Sequence, residues 1–349
     1  MKSYINSDSE EEHDNIVPEY NPLAIKKENY SKLKIIKYFM QNKILCENIK
    51  CSIYGLNMNL EKNLQYIDDY VFRCRSKYPN HDIKINLRKN SIFENIKLDI
   101  NTIHYLINNC FLENYYLDTT YTRVYNFCDI LNNPKPNKHT IVKLFRILRN
   151  KIKIYYHTQW KNEPLGIEPA ENGKSRIEID ESKVIGNSNS IIWMFGLIDR
   201  YNKDARIFCV MSNRTKEKLL PIVKDNAYTN DMDDETKTRI YSDSFAAYQE
   251  EDFENMGFKL NKVNHSVWFV IGLFHTNTVE GLWGQIKRLS NIFAGLNFSI
   301  LENIEKEGIK SEDYINDWLS YYLFLRDLKR KNFSENDKIN YLNDILKIT

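Results

Sequence analysis

Residues 176–211 read RIEIDESKVIGNSNSIIWMFGLIDRYNKDARIFCVM. Polar and apolar residues alternate over Arg176–Asp180, the two-residue period of a strand with one covered face. Ile191–Ile198 is an unbroken apolar run that suits a buried strand, and Arg206–Met211 is rich in β-formers. Three strands are therefore expected in succession, and then the period changes. Thr215–Asp225 sets Leu219, Leu220 and Val223 on one helical face behind Thr215 as a cap. Arg239–Ser242 reads as a short strand ending on Asp243, Ser244–Glu251 as a helix and Phe258–Val263 as a fifth strand. Thr278–Leu289 reads as a helix with Glu280 in its first turn. Strands followed by helix–strand alternation predict an α/β unit: a mixed sheet with helices on its faces.

That order is the order of an RNase H-like fold, expected here over residues 161–300. The acids fall at telling places in it. Asp180 ends the first strand, Asp243 ends the fourth, and Glu280 opens a helix after the fifth. In an open sheet the ends of strands one and four can lie side by side. Three carboxylates gathered there repel one another unless a cation neutralises them. Hard oxygen ligands favour Mg2+ or Mn2+. Two such ions about 4 Å apart can activate a water or a 3′-hydroxyl and stabilise the leaving oxygen of a phosphodiester. Lys287 lies seven residues after Glu280, on the same helical face, where it can hold a phosphate. Taken singly, Asp180 and Asp243 read better as a strand-end and a capping carboxylate, and Lys287 as a surface lysine; the combination points to a metal site.

Around this unit the chain has the balance of a globular protein, with 349 residues, 42% hydrophobic and 28% charged. Its longest apolar runs fall well short of the roughly 20 residues of a membrane helix, so no membrane partner is expected. Residues 1–30 carry three basic and seven acidic groups, without an apolar core, and read as a disordered acidic tail rather than a signal peptide. The six cysteines (46, 51, 74, 110, 128, 209) are expected as reduced thiols, with metal binding open to a subset. Ile130–Asn162 contains eight basic residues and no acidic one, the footprint of a polyanion partner.

Within residues 99–160, helices are expected at Asp99–Leu112, Thr119–Leu131 and Lys138–Tyr155, the last after the breaker Asn132–Pro136. Helix, short turn and basic helix make the outline of a helix-turn-helix. The apolar face Ile141, Leu144, Phe145, Leu148 and Ile152 leaves Lys138, Lys143, Arg146, Arg149 and Lys153 to contact DNA. Residues 301–349 read as two or three further helices. Neither a Gly-rich phosphate loop nor a GxSxG elbow occurs.

Five blocks, IEIDESK (177–183), WMFGLID (193–199), IYSDSFAAY (240–248), VNHSVWF (263–269) and HTNTVEGLWGQIK (275–287), occur in the family order of Merlin-type DDE transposases and their bacterial insertion-sequence relatives, which this chain resembles. The resemblance implies Asp180, Asp243 and Glu280 as the acidic triad, with 36 residues between the last two, and Lys287 as the associated basic residue. It also implies that His275 and Asn277 line the site against DNA. FRCR (72–75) and RKNSIFENIKL (88–98) look like the end of the family's N-terminal zinc ribbon and the segment after it. That ribbon usually has two CxxC pairs. Here Cys46 and Cys51 are separated by four residues, and Cys74 has His81 as its nearest candidate partner, so residues 31–98 are expected to be a degenerate ribbon with zinc in doubt. The implied activity is Mg2+-dependent hydrolysis at transposon ends, followed by transfer of the 3′-hydroxyl into target DNA. The implied partners are double-stranded terminal inverted repeats, target DNA and a second copy of the chain in a dimer or larger synaptic complex. The implied location is the nucleus in a eukaryote and otherwise the cytoplasm. The alternatives are a catalytically silent, transposase-derived DNA-binding protein and a structure-specific nuclease of the same fold.

Overall fold

The computed structural model describes residues 31–77, 80–114, 117–167, 175–187, 190–211, 214–229, 237–243, 245–263, 276–288 and 298–347. Helix α1 (Lys32–Gln41) buries Ile35, Ile36, Phe39 and Met40, the apolar spacing of its sequence. An antiparallel sheet of β1 (Asn59–Lys62), β2 (Tyr70–Lys77) and β3 (Asn80–Asn86) follows. Next come α2 (Ile100–Leu106), continued by a π-helical turn over Ile107–Phe111, α3 (Leu117–Leu131) and α4 (Lys138–Asn162). Phe39, Phe72, Leu87 and Phe93 share one apolar core with Phe111, Phe127, Leu144 and Leu148. Residues 31–98 are thus packed onto the helices after them. Buried Arg88 bridges the join: its guanidinium is paired with Asp68 and donates to the Ile96 and Leu98 carbonyls, and Asp68 accepts the Ile100 N–H.

The second half is built on five strands: β4 (Arg176–Asn187), β5 (Ser190–Asp199), β6 (Ala205–Met211), β7 (Arg239–Asp243) and β8 (Lys259–Val263). Their spatial order is β6-β5-β4-β7-β8. β4–β5 and β5–β6 pair antiparallel, whereas β4–β7 and β7–β8 pair parallel, so the sheet is mixed as the alternation demanded. The helices α5 (Lys216–Asn226), α6 (Glu250–Asn255), α7 (Asn277–Arg288), α8 (Phe298–Lys306), α9 (Ser311–Arg330) and α10 (Glu335–Leu346) complete the described chain. Strand periodicity divides the sheet. Ile177, Ile179, Phe195, Leu197 and Ile240 meet Leu219, Val223 and Phe253 of α5 and α6 on one face. Met194, Ile198 and Ile207 meet Val279, Leu282 and Ile286 of α7 and the α9 side chains on the other. Among the described residues, no helix is long and apolar enough to cross a membrane.

Two expected boundaries move. β4 continues to Asn187, so Asp180 lies inside a strand; β5 pairs along nearly its whole length and carries it past the point where its parallel neighbour β7 stops. The helix expected at Ser244–Glu251 begins at Glu250 instead. Fully buried Tyr248 closes a turn onto the Phe245 carbonyl, and Glu250, Glu251 and Asp252 supply the acidic first turn that suits a helix N-terminus.

Candidate active site

Arg176 lies opposite Arg239 and Glu178 opposite Tyr241 in the parallel β4–β7 pair. Continuing that register by two residues brings Asp180 alongside Asp243. Because side chains alternate along a strand, both belong to the face on which α7 lies. The helix is fixed there by its apolar stripe and by Trp283, 4% exposed, whose indole N–H donates to Asp180 Oδ2 at 2.8 Å. The indole lies on Gly196, the residue paired with Asp180 across β4–β5. A Cβ at Gly196 would come within 2.6 Å of the ring, so the close approach requires glycine.

Glu280 is one helical turn before Trp283 on the same side of α7. It is exposed, and its Oε1 accepts the Thr276 hydroxyl at 2.8 Å. Asp243 accepts the Phe245 N–H at 3.0 Å. Burial pushes the Asp180 carboxyl up to about 6, against the Trp283 hydrogen bond, and the charges of Asp243 and Glu280 raise it further. The charges of Asp243 and Glu280 thus reach Asp180, although the three carboxylates are not drawn together as closely as Cys51, Cys74 and His81 are. The carboxylates are hard oxygen donors with lone pairs beyond those used inside the chain, which fits Mg2+ or Mn2+. Lys287 is exposed on the same helix, about 10 Å further along it. Asn277 is exposed at the first position of α7, and His275 lies outside the described residues.

Two acids that sequence reasoning passed over belong to the same corner. Glu181 is on the opposite sheet face, 3% exposed at its side chain, 3.4 Å from the Arg214 guanidinium. Arg214 in turn lies 3.6 Å from the Trp193 ring and 4.7 Å from the Phe245 ring. Burial first, then the charges of Asp180 and Asp243, push Glu181 up to about 8. Its signal was the second acid of IDESK. Glu178 is fully buried on the α7 face and accepts the N–H groups of Thr278 and Val279. An acid at an inward position of a strand was its only mark in the sequence.

The basic helix needs correction. The outward row expected from Arg146, Arg149 and Lys153 faces the C-terminal helices. Arg149 is 4% exposed, with its guanidinium 3.8 Å from the Trp318 ring. Lys153 is paired with Asp317 at 2.9 Å and Asp313 at 3.3 Å, and Arg146 with Glu307 at 2.6 Å. The acids missing from α4 are supplied by α9 and the residue after α8, far away in sequence. Lys138 and Lys143 are exposed at the start of α4, beside a cleft lined by Lys32, Lys97, Lys135 and His139.

In the N-terminal sheet, three of the four expected zinc ligands come together. The ligand atoms of Cys51, Cys74 and His81 all lie within 4.8 Å of one another, with His81 Nε2 3.2 Å from Cys74 Sγ and 3.7 Å from Cys51 Sγ. The β2–β3 hairpin sets Cys74 opposite Ile83 and so brings His81 to its side. The backbone N–H groups of Tyr54 and Ile53 lower the Cys51 thiol, while burial raises that of Cys74. Two sulfurs and an imidazole suit Zn2+. Cys46 does not join them; its Sγ lies 3.9 Å from the Lys89 carbonyl. No family model and no curated protein matches the chain.

Proposed function

We propose that the chain is a DDE-type DNA transposase whose catalytic region is RNase H-like. One observation carries the reading: Asp180 and Asp243 fall on the same face of the neighbouring strands β4 and β7 in a sheet ordered β6-β5-β4-β7-β8, and α7, which bears Glu280, is tied to Asp180 through Trp283. Asp180 and Asp243 would hold a divalent cation between them, with Glu280 as a further ligand. Bound there, Mg2+ or Mn2+ supplies Lewis acidity toward a phosphodiester and its attacking oxygen. Trp283 fixes the Asp180 rotamer and shields one side of it from water. Lys287 would take a flanking phosphate, and Asn277 would contact the DNA strand at the mouth of α7.

The duplex would lie against the exposed start of α4, through Lys138, Lys143 and the neighbouring cleft, in the manner of a helix-turn-helix. Cys51, Cys74 and His81 would hold a zinc ion that ties the N-terminal hairpin to the turn before β1. Joining two transposon ends requires two copies of the chain or more.

The test is cleavage of a plasmid carrying the DNA that flanks this gene on both sides, in Mg2+ or Mn2+. Breaks at inverted repeats are expected, lost in Asp180→Asn, Asp243→Asn and Glu280→Gln while DNA binding persists. Absence of metal-dependent cleavage, or cleavage that survives all three substitutions, would refute the reading.

A further inference from the structure

The start of a helix leaves N–H groups without partners inside the helix. In α7 those of Thr278 and Val279 are taken by one oxygen of Glu178, at 2.8 and 2.9 Å, from about a hundred residues earlier in the chain. The other oxygen accepts Arg200 Nε at 2.7 Å. The Arg200 guanidinium lies 3.6 Å from the Tyr241 ring of β7. One fully buried carboxylate therefore links β4, the turn after β5 and the head of α7, and through Arg200 it also reaches β7. Three of them, β4, β7 and α7, carry the three acids. Glu178 stands two residues before Asp180 on the same strand face, Thr278 stands two residues before Glu280, and Tyr241 stands two residues before Asp243.

We infer that Glu178 is a positioning residue: it clamps the head of α7 to β4 and so sets Glu280 against the Asp180–Asp243 pair. The inference rests on the metal-dependent reading above. The apolar stripe of α7 holds the helix on the sheet, but apolar contacts are non-directional and tolerate small slides and rotations. Hydrogen bonds to a charged group are directional and roughly twice as strong as neutral ones. A buried ion pair adds little net stability, because desolvation offsets its attraction, so geometric definition is what this one supplies. Both Glu178 oxygens are committed to N–H donors, which leaves the metal to the other acids.

The substitution Glu178→Gln tests this in the full chain. The amide oxygen can still accept from Thr278 and Val279, but its NH2 then faces the Arg200 N–H, donor against donor. Mn2+ affinity, read by electron paramagnetic resonance, is expected to fall 10- to 100-fold, the usual effect of removing an outer-shell partner. Amide exchange at Thr278 and Val279 should accelerate without metal. In a Glu280→Gln background the same change should cost no further Mn2+ affinity, because Glu178 acts through Glu280. A folded Glu178→Gln protein with wild-type Mn2+ affinity would overturn the inference, as would losses that simply multiply in the double variant. If Glu178→Gln does not fold, Arg200→Gln frees one carboxylate oxygen while keeping the helix contact. A smaller loss, again absent with Glu280→Gln, is expected, and unchanged affinity counts against the clamp. A Glu280→Gln single variant that binds Mn2+ as tightly as wild type would sink the metal-site reading and this inference with it. The exchange rates would still separate that outcome from an intact site with an idle clamp.

Discussion

Asp180→Asn should make the metal-free protein more stable at neutral pH while abolishing its response to Mg2+. Asp180 is raised from 3.8 to about 6 in the folded chain. Between those values the native state binds this proton more tightly than the unfolded state does, so the residue's contribution to stability falls as pH rises through the window. Above about pH 6 the full cost is present. A difference of this size corresponds to about 3 kcal/mol. The amide keeps an oxygen for the Trp283 N–H but leaves its own hydrogens in need of partners, which reduces the expected gain to about 1–3 kcal/mol. The gain should shrink toward pH 4, where the carboxyl is protonated in the folded state. Urea unfolding of both proteins at pH 4.5 and 7.5, in chelator and in millimolar Mg2+, measures all of this. Mg2+ should stabilise the wild type at pH 7.5 and leave Asp180→Asn unchanged, and cleavage should drop on the order of 10³-fold or more. An Asp180→Asn protein no more stable than wild type in chelator at pH 7.5, or one stabilised equally by Mg2+, would refute the argument that the cost of the buried Asp180 charge is relieved by a cation.

Other expectations follow from the same geometry. Gly196→Ala should displace the Trp283 indole, destabilise the fold by about 1–3 kcal/mol and shift tryptophan emission; an unchanged spectrum and midpoint would deny the close contact. Arg149→Ala should destabilise the protein by about 2–4 kcal/mol in urea, because it removes a buried group packed on Trp318 and the α4–α9 contact around it. Lys138→Ala and Lys143→Ala should leave stability unchanged but each reduce the log–log salt slope of DNA binding by about 0.9; an unaltered slope in the double variant would place the duplex elsewhere. Purified protein should retain one zinc per chain, with thiolate absorption on Co2+ substitution, through Cys51→Ser-, Cys74→Ser- and His81→Ala-sensitive binding that Cys46→Ser leaves intact. Acidification should release the metal as protons compete for the ligands.

Some of this was legible in residue order because it depends on local period. The two-residue alternation around Asp180, the apolar run at Ile191–Ile198 and the helical stripe of Val279, Leu282 and Ile286 are each written in a dozen residues or fewer. They specify strand or helix and which face is covered. Asp180, Asp243 and Glu280 stood out as candidates by their places in those local elements, although β4 runs on past Asp180 to Asn187. The Cys74 and His81 pairing was also within reach, since a hairpin brings neighbours in sequence together.

What lay beyond the sequence was the partner of each charged side chain. Local period says that Arg149 and Lys153 are off the main apolar stripe, but a long helix packed on two sides has a second covered face. Only the docking of α9 decides that Trp318 and Asp317 fill it. The same holds for Glu178, whose hydrogen-bond partners at Thr278 and Val279 are supplied by a helix a hundred residues away. Cys46 was eligible by spacing, and its exclusion from the thiol cluster depends on where the turn before β1 meets the hairpin. Sequence by itself determined the elements, their order and the residues capable of chemistry, because backbone propensity and burial period act over a few residues. Tertiary structure alone decided which charges are neutralised inside the protein and which remain for a ligand, because electrostatic pairing acts through space, between groups that chain order does not relate.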